Sequence, residues 1–143
     1  MAIAALDLGK RRIGIAIADD EGLAVHPIGA LERRSVIRDL ESIRLRLVEF
    51  EVSRVVIGLP LNMDGSSGGP ARAARAFAER LGEASGLPVE LFDERLTSFE
   101  AEERLKDLSG RRARDKGTVD AVAAGIILES WLNHRRSGSQ VRG

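Results

Sequence analysis

The 143-residue chain contains no cysteine and no tyrosine, and aromatic residues make up only 3% of it. Without cysteine, disulfide frameworks and thiolate zinc sites are excluded, and a reducing compartment is permitted. With so few aromatic residues, a platform that stacks nucleic-acid bases is not expected. No stretch approaches the roughly 18 apolar residues of a membrane span, and residues 1–10 lack the features of a secretory signal. These absences favour a cytoplasmic protein without a membrane partner.

Net charge is also absent, because 22 basic and 22 acidic residues cancel. This balance argues against indiscriminate binding to nucleic acid, but it leaves room for a local basic face. The basic residues do cluster, in Lys10–Arg12, in Arg111–Lys116 and in the tail from Arg135. Hydrophobic residues make up 43% of the chain, and its length suits one globular domain with a single core.

The hydrophobic pattern predicts an α/β domain over residues 1–134 and a basic, disordered tail over residues 135–143. The stretches "IAALDL", "RIGIAIAD" and residues 23–31 are predicted to form an antiparallel meander. Further strands, "RVVIGLP" and "VELFDE", then alternate with helices, which implies parallel pairing. The prediction is a mixed five-stranded sheet with helices on both faces. Thr97 is predicted to cap the helix after "VELFDE", and a basic loop, "SGRRARDKG", precedes the last helix.

Three acidic side chains stand at positions that could converge. Asp7 ends the first predicted strand, Glu94 ends the last one, and Asp120 lies in the first turn of the last helix. Clustered carboxylates repel one another unless a cation lies among them. Oxygen ligands without histidine or cysteine favour Mg²⁺ or Mn²⁺. Spacing alone leaves open a turn for Asp7, a solvated strand end for Glu94 and a helix-dipole partner for Asp120.

Four motifs, "LDLGKRRIGIAIAD", "VIGLPLNMDGS", "DERLTS" and "KGTVDAVAAGIIL", occur in the order in which similar motifs occur in the RuvX/YqgF family. The resemblance spans about residues 2–133. It implies an RNase H-like fold and metal-dependent hydrolysis of phosphodiester bonds, either in branched DNA (Holliday junctions) or at the 5′ end of precursor 16S rRNA. It also implies that the metal ligands are Asp7, Glu94 and Asp120. Where the family usually has Lys-Arg, this chain has Arg11-Arg12.

From these positions Asp7, Glu94 and Asp120 are predicted to be catalytic metal ligands, with Asp7 bridging two cations about 4 Å apart. Lys116 matches a lysine of the family and is predicted to act near the scissile phosphate, the alternative being a solvated loop lysine. Because neighbouring strand residues point to opposite faces, Asp93 and Glu94 are not expected to bind the same cation, and Asp93 is expected to pair with Arg95 instead. The predicted nucleic-acid contacts are Arg11, Arg12, Asn62, Arg95, Arg111, Arg112 and Arg114, although Asn62 could equally form a turn.

Two other functional classes remain open at this point. One is a non-catalytic nucleic-acid-binding factor in transcription or ribosome biogenesis, with a structural acidic cluster. The other is a sugar-kinase or actin-like ATPase, but 143 residues leave no room for the second lobe such a protein needs. The oligomeric state is monomer or homodimer, since a resolvase that cuts two strands symmetrically benefits from a two-fold dimer.

Overall fold

The computed structural model describes residues 1–19, 21, 24–109 and 116–142, with side chains described in these ranges except at 107–109, 116–117 and 137–142. Most of the predicted basic loop, including Arg111, Arg112 and Arg114, therefore lies outside the described residues. Five strands and four helices follow in the order β1 (Ala2–Leu8), β2 (Arg12–Asp19), β3 (Val25–Glu32), α1 (Val36–Glu49), β4 (Val52–Leu59), α2 (Gly69–Ser85), β5 (Val89–Asp93), α3 (Phe99–Ser109) and α4 (Lys116–Arg142).

The sheet has the strand order β3-β2-β1-β4-β5. β1, β2 and β3 pair in antiparallel fashion, whereas β1, β4 and β5 are parallel. The predicted mixed sheet is confirmed, and β1 is its central strand. Consequently, the end of β1 has neighbours on both sides.

Helices cover both faces of the sheet. One face packs against α1 and α2 through a core that includes Leu6, Ile43 and Phe77. The other packs against α3 and α4 through a core that includes Ala5 and Leu128. Because side chains alternate along a strand, the row that contains Ala5 continues toward the end of β1 on the α4 face.

The end of β5 differs from the prediction. β5 ends at Asp93, and Glu94 is the first residue of a short 3₁₀ helix, Glu94–Leu96. The Asp93 carboxylate accepts a hydrogen bond from the backbone N–H of Arg95, which caps this turn. The predicted cap of α3 is also wrong. Ser98 accepts from the N–H of Ala101, whereas the Thr97 hydroxyl donates to the carbonyl of Glu94.

α4 is longer than predicted at both ends. It begins at Lys116, so Asp120 lies in its second turn rather than its first. The helix continues to Arg142 instead of ending near residue 134. The division into a nuclease domain and a separate tail stays a prediction. Among the described residues, no helix combines the length and the hydrophobicity that crossing a bilayer requires.

Candidate active site

Asp7 is flanked by glycine on both neighbouring strands. Its partner in β2 is Gly14. On the other side, Leu6 pairs with Ile57 of β4, so Gly58 is the next residue in that register. Neither glycine has a side chain, so other parts of the chain can approach β1 closely beside Asp7.

The other two predicted ligands occupy the space above these glycines. A Cβ atom on Gly58 would lie 3.1 Å from both Cγ and Cδ of Glu94, so the Glu94 side chain lies over β4. A Cβ on Gly14 would overlap the backbone carbonyl of Asp120, so α4 contacts β2 directly at this point. The structure therefore brings Glu94 to one side of Asp7 and Asp120 to the other. A glycine inside a strand often marks such a close approach, and this signal was available in the sequence.

We expect Gly14→Ala to destabilise the fold by at least about 2 kcal/mol, because the added methyl group meets backbone rather than a flexible side chain. Gly69→Ala is the matched control, since a Cβ there meets nothing within 4 Å. Urea unfolding of both variants measures the difference. Equal stability of the two variants would contradict the close contact between α4 and β2.

The three carboxylates influence one another electrostatically. Burial, and secondly the charge of Asp120, raise the pKa of Asp7 above its usual range. Burial, followed by the charges of Asp7 and Asp93, raises the pKa of Glu94 to about 7. Asp7 is thus the central member of the cluster, and bringing all three groups together in ionised form costs free energy. A cation among them would remove that cost.

Asp120 has a partner of its own. Nε of Arg12 donates a hydrogen bond to Oδ2 of Asp120 over 2.6 Å. Arg12 was predicted as a phosphate contact, but here its guanidinium group neutralises a predicted metal ligand. The pair links the first residue of β2 to α4, across 108 positions of sequence.

The donor chemistry of the cluster suits Mg²⁺ or Mn²⁺, because Asp7, Glu94 and Asp120 offer only carboxylate oxygens. The raised pKa values of Asp7 and Glu94 also indicate buried acids without sufficient positive charge nearby. Within the described part of the chain, however, no three acidic or histidine side chains are already grouped to hold one ion. Arg12 binds Oδ2 of the Asp120 carboxylate, so a cation that used the same oxygen would have to displace Arg12.

The loop beside Glu94 is held together by its own polar side chains. Asn62 donates from Nδ2 to the hydroxyl of Ser66, which supports its interpretation as a turn residue. The predicted Asp93–Arg95 pair is confirmed, with 2.7 Å between Oδ2 and Nη2. Nη1 of Arg95 also donates to the carbonyl of Met63 over 3.4 Å. Arg95, predicted to bind nucleic acid, thus connects the end of β5 to this loop.

The basic turn between β1 and β2 is anchored by residues that the sequence analysis missed. Nη1 of Arg33 donates to the carbonyl of Gly9, and the backbone N–H of Arg33 donates to the carbonyl of Arg11. Buried Asp39 accepts from Nε of Arg33 over 3.3 Å and fixes its orientation. Lys10 and Arg11 are exposed in this turn. No local pattern in the sequence indicates this network, because its members come from separate elements.

Three further residues lie in α4. Lys116 is the first residue of α4, and its side chain lies outside the described residues. Trp131 is buried in the core and donates from Nε1 to Glu90. The ring of His134 lies edge-on to Phe92, 5.6 Å away between centroids.

Comparison with known proteins extends these observations. A family model described as "RuvX: Holliday junction resolvase" matches residues 1–134. The chain belongs to the RuvX family. A relative from Anaeromyxobacter sp. (strain Fw109-5), named "Putative pre-16S rRNA nuclease", is 54% identical over 133 residues, which cover 92% of this chain and 96% of the relative. A relative of the same name from Synechococcus sp. (strain ATCC 27144 / PCC 6301 / SAUG 1402/1) is 45% identical over 131 residues, which cover 92% of this chain and 88% of the relative.

The fold of this RuvX-family chain is shared with solved resolvase structures. T. thermophilus RuvC in complex with a Holliday junction substrate matches with a TM-score of 0.68 and 15% identity, covering 96% of this chain and 97% of RuvC. The fowlpox virus Holliday junction resolvase matches with a TM-score of 0.58 and 13% identity, covering 94% of this chain and 99% of that protein. At such identities the likeness shows the fold alone. Together with the family membership, it confirms the predicted RNase H-like nuclease.

Proposed function

We propose that this RuvX-family nuclease depends on a divalent metal and that its substrate is the precursor of 16S rRNA. The observation that carries the metal dependence is the placement of Glu94 and Asp120 on either side of Asp7, in mutual electrostatic contact at the end of the central strand. The choice of RNA is supported by the names of relatives that are 45–54% identical over most of their length. The cytoplasm is where we expect the protein to act.

The residues have distinct roles in this proposal. Asp7, Glu94 and Asp120 would hold Mg²⁺ or Mn²⁺, which supplies a polarised phosphodiester group and a more acidic water at neutral pH. With a pKa of about 7, roughly half of the Glu94 carboxyl groups hold a proton at pH 7 in the absence of a cation, and that proton must leave before Glu94 can become a ligand. The exposed turn with Arg11 contacts the nucleic-acid backbone, which makes binding weaker at higher salt concentration. Lys116 is the candidate for a cation near the scissile phosphate.

A second candidate substrate is branched DNA. It is favoured by one specific observation, the description of the matching family as Holliday junction resolvases. Cutting two strands symmetrically would be helped by a two-fold dimer, whereas trimming the end of an RNA precursor has no such requirement. Sedimentation velocity in the presence of a four-way junction therefore bears on this candidate directly.

A panel of labelled substrates tests the proposed function. It contains precursor 16S rRNA with its 5′ leader, the mature 5′ end of the same length, a four-way DNA junction and unstructured RNA, each with Mn²⁺ and with chelator. We expect Mn²⁺-dependent cleavage within the leader and no cleavage with chelator. Faster cleavage of the junction than of the precursor would favour the second candidate. Binding of these substrates without any metal-dependent cleavage would instead support a non-catalytic factor.

A further inference from the structure

The Arg12–Asp120 ion pair connects two parts of the proposed reaction. Arg12 was predicted to bind a phosphate and Asp120 to bind a cation, but in this structure they bind each other. We infer that Arg12 is a positioning residue that holds the Asp120 carboxylate until a divalent cation takes its place, and that then binds a phosphate of the nucleic acid. The inference rests on the proposed function, because it concerns the same cation and the same substrate.

The pair is able to open. The Arg12 and Asp120 side chains retain 25% and 26% exposure, so water reaches both charged groups when they separate. An ion pair that water can reach separates more readily than a fully buried one. Asp7 and Asp120 together would offer a divalent cation two carboxylates, and the charge of that cation would repel the guanidinium group of Arg12. Cation binding is therefore expected to displace Arg12 rather than to be prevented by it.

The backbone around Arg12 limits the movement to its side chain. Arg12 begins β2 and pairs with Glu32 of β3. The turn before it is held by Arg33, whose guanidinium and backbone N–H bind the carbonyls of Gly9 and Arg11. A released Arg12 side chain therefore stays at the edge of the acidic cluster. The planar fork of guanidinium N–H donors matches a phosphate group as well as it matches a carboxylate.

The exchange has a thermodynamic consequence. Because the cation and Arg12 compete for the same carboxylate, cation binding makes Arg12 available to the nucleic acid. Linkage requires the effect to be reciprocal, so a phosphate bound to Arg12 raises the affinity for the cation by the same factor. Arg12 thus weakens cation binding in the free protein, and a phosphate bound to Arg12 relieves that weakening.

Calorimetric titration of the full chain with Mn²⁺ tests the first part of the inference, the competition between the cation and Arg12 for Asp120. We expect Arg12→Gln to bind Mn²⁺ at least about fivefold more tightly than the wild type, a typical size for coupling between two sites. Arg11→Gln is the matched control, since it removes the same charge from the same turn without breaking the Asp120 pair. Its affinity for Mn²⁺ should stay within about twofold of the wild type, because charges exposed to solvent are screened.

The second part of the inference, the binding of a phosphate by the released Arg12, is tested with a short phosphorothioate RNA strand that resists hydrolysis. The affinity of the protein for this strand is measured with Mn²⁺ and with chelator. Mn²⁺ should tighten binding of this strand by a smaller factor in Arg12→Gln than in the wild type, whereas Arg11→Gln should retain the wild-type factor. If Arg12→Gln has the same Mn²⁺ affinity as the wild type, or if Mn²⁺ tightens its RNA binding by the same factor, the inference is overturned but the proposed function is not. A wild type that binds no Mn²⁺ overturns the proposed function and the inference with it.

Discussion

Asp7→Asn should lower the rate of metal-dependent cleavage at least about 100-fold, comparable to the loss of one preorganised electrostatic group in other enzymes. Asp7 is the carboxylate that interacts with both Asp120 and Glu94, so its loss leaves two acids without their common neighbour. Single-turnover cleavage of a labelled precursor RNA measures the effect. Asp19→Asn is the matched control, because Asp19 lies at the opposite end of the sheet, where it pairs with Ala2.

The same substitution should stabilise the protein when no cation is bound. The pKa of Asp7 is higher in the folded than in the unfolded state, so its favourable contribution is present below the unfolded pKa and is lost as pH rises through the folded value. At neutral pH the ionised group opposes folding, and asparagine removes this opposition. In chelator, Asp7→Asn should therefore melt at a higher temperature than the wild type, by about 2–4 °C for each kcal/mol relieved.

Added Mn²⁺ should reverse that order. The wild type gains stability from any ligand that binds only its folded state, whereas Asp7→Asn has lost the central oxygen donor. A variant that melts at a lower temperature than the wild type in chelator, or that cleaves RNA at the wild-type rate, would contradict the assignment of Asp7 as a buried acid of the active site.

Mn²⁺ affinity should fall steeply below neutral pH. With a pKa of about 7, Glu94 is mostly protonated at pH 5.5 and mostly ionised at pH 7.5, and only the ionised form binds a cation. We therefore expect the dissociation constant for Mn²⁺ to rise roughly 20- to 30-fold between pH 7.5 and pH 5.5 as one proton is displaced. Calorimetry in buffers of different ionisation enthalpy measures the released proton directly.

Two variants test whether Glu94 causes the pH dependence of Mn²⁺ affinity. Glu94→Gln should bind Mn²⁺ weakly and with a smaller dependence on pH. Asp93→Asn should keep most of that dependence, because Asp93 is the smallest of the three contributions to the Glu94 pKa and its carboxylate is bound to Arg95. Glu94 also affects the stability of the fold in the absence of a cation. Its favourable contribution to the free energy of unfolding is fully present below pH 4.5 and is lost as pH rises through about 7. Affinity for Mn²⁺ that is constant over this pH range in the wild type would show that Glu94 is not a ligand.

The sheet could be predicted because its evidence is local. Each strand is a short apolar run between turn signals, and the change from a meander to alternating strands and helices determines which pairs are antiparallel. The positions of Asp7 and Glu94 near strand ends followed from the same pattern. The error at Glu94 was one residue, because Asp93 caps a 3₁₀ turn that hydrophobic periodicity does not reveal.

The contacts that complete the site could not be predicted, because they join segments that are far apart in sequence. Arg12 was assigned to phosphate on the basis of its basic neighbours, and only the packing of α4 on β2 shows that its partner is Asp120. The support of the basic turn by Arg33 and buried Asp39 depends likewise on how α1 lies against the sheet. Gly14 and Gly58 carried a usable signal, but the side chains that fill the space above them come from elsewhere in the chain.

The contact between Asp120 and Gly14 joins the last helix to the second strand, so the acidic cluster has one member near the start of the chain and another near its finish. During synthesis, a nascent polypeptide interrupted before residue 116 carries Asp7 and Glu94 but cannot carry Asp120. In the proposed function hydrolysis needs all three carboxylates, so such an incomplete product would be inactive until α4 packs against β2. If the substrate is precursor rRNA, as proposed, the enzyme would become able to cut ribosomal RNA only after its last helix has been synthesised.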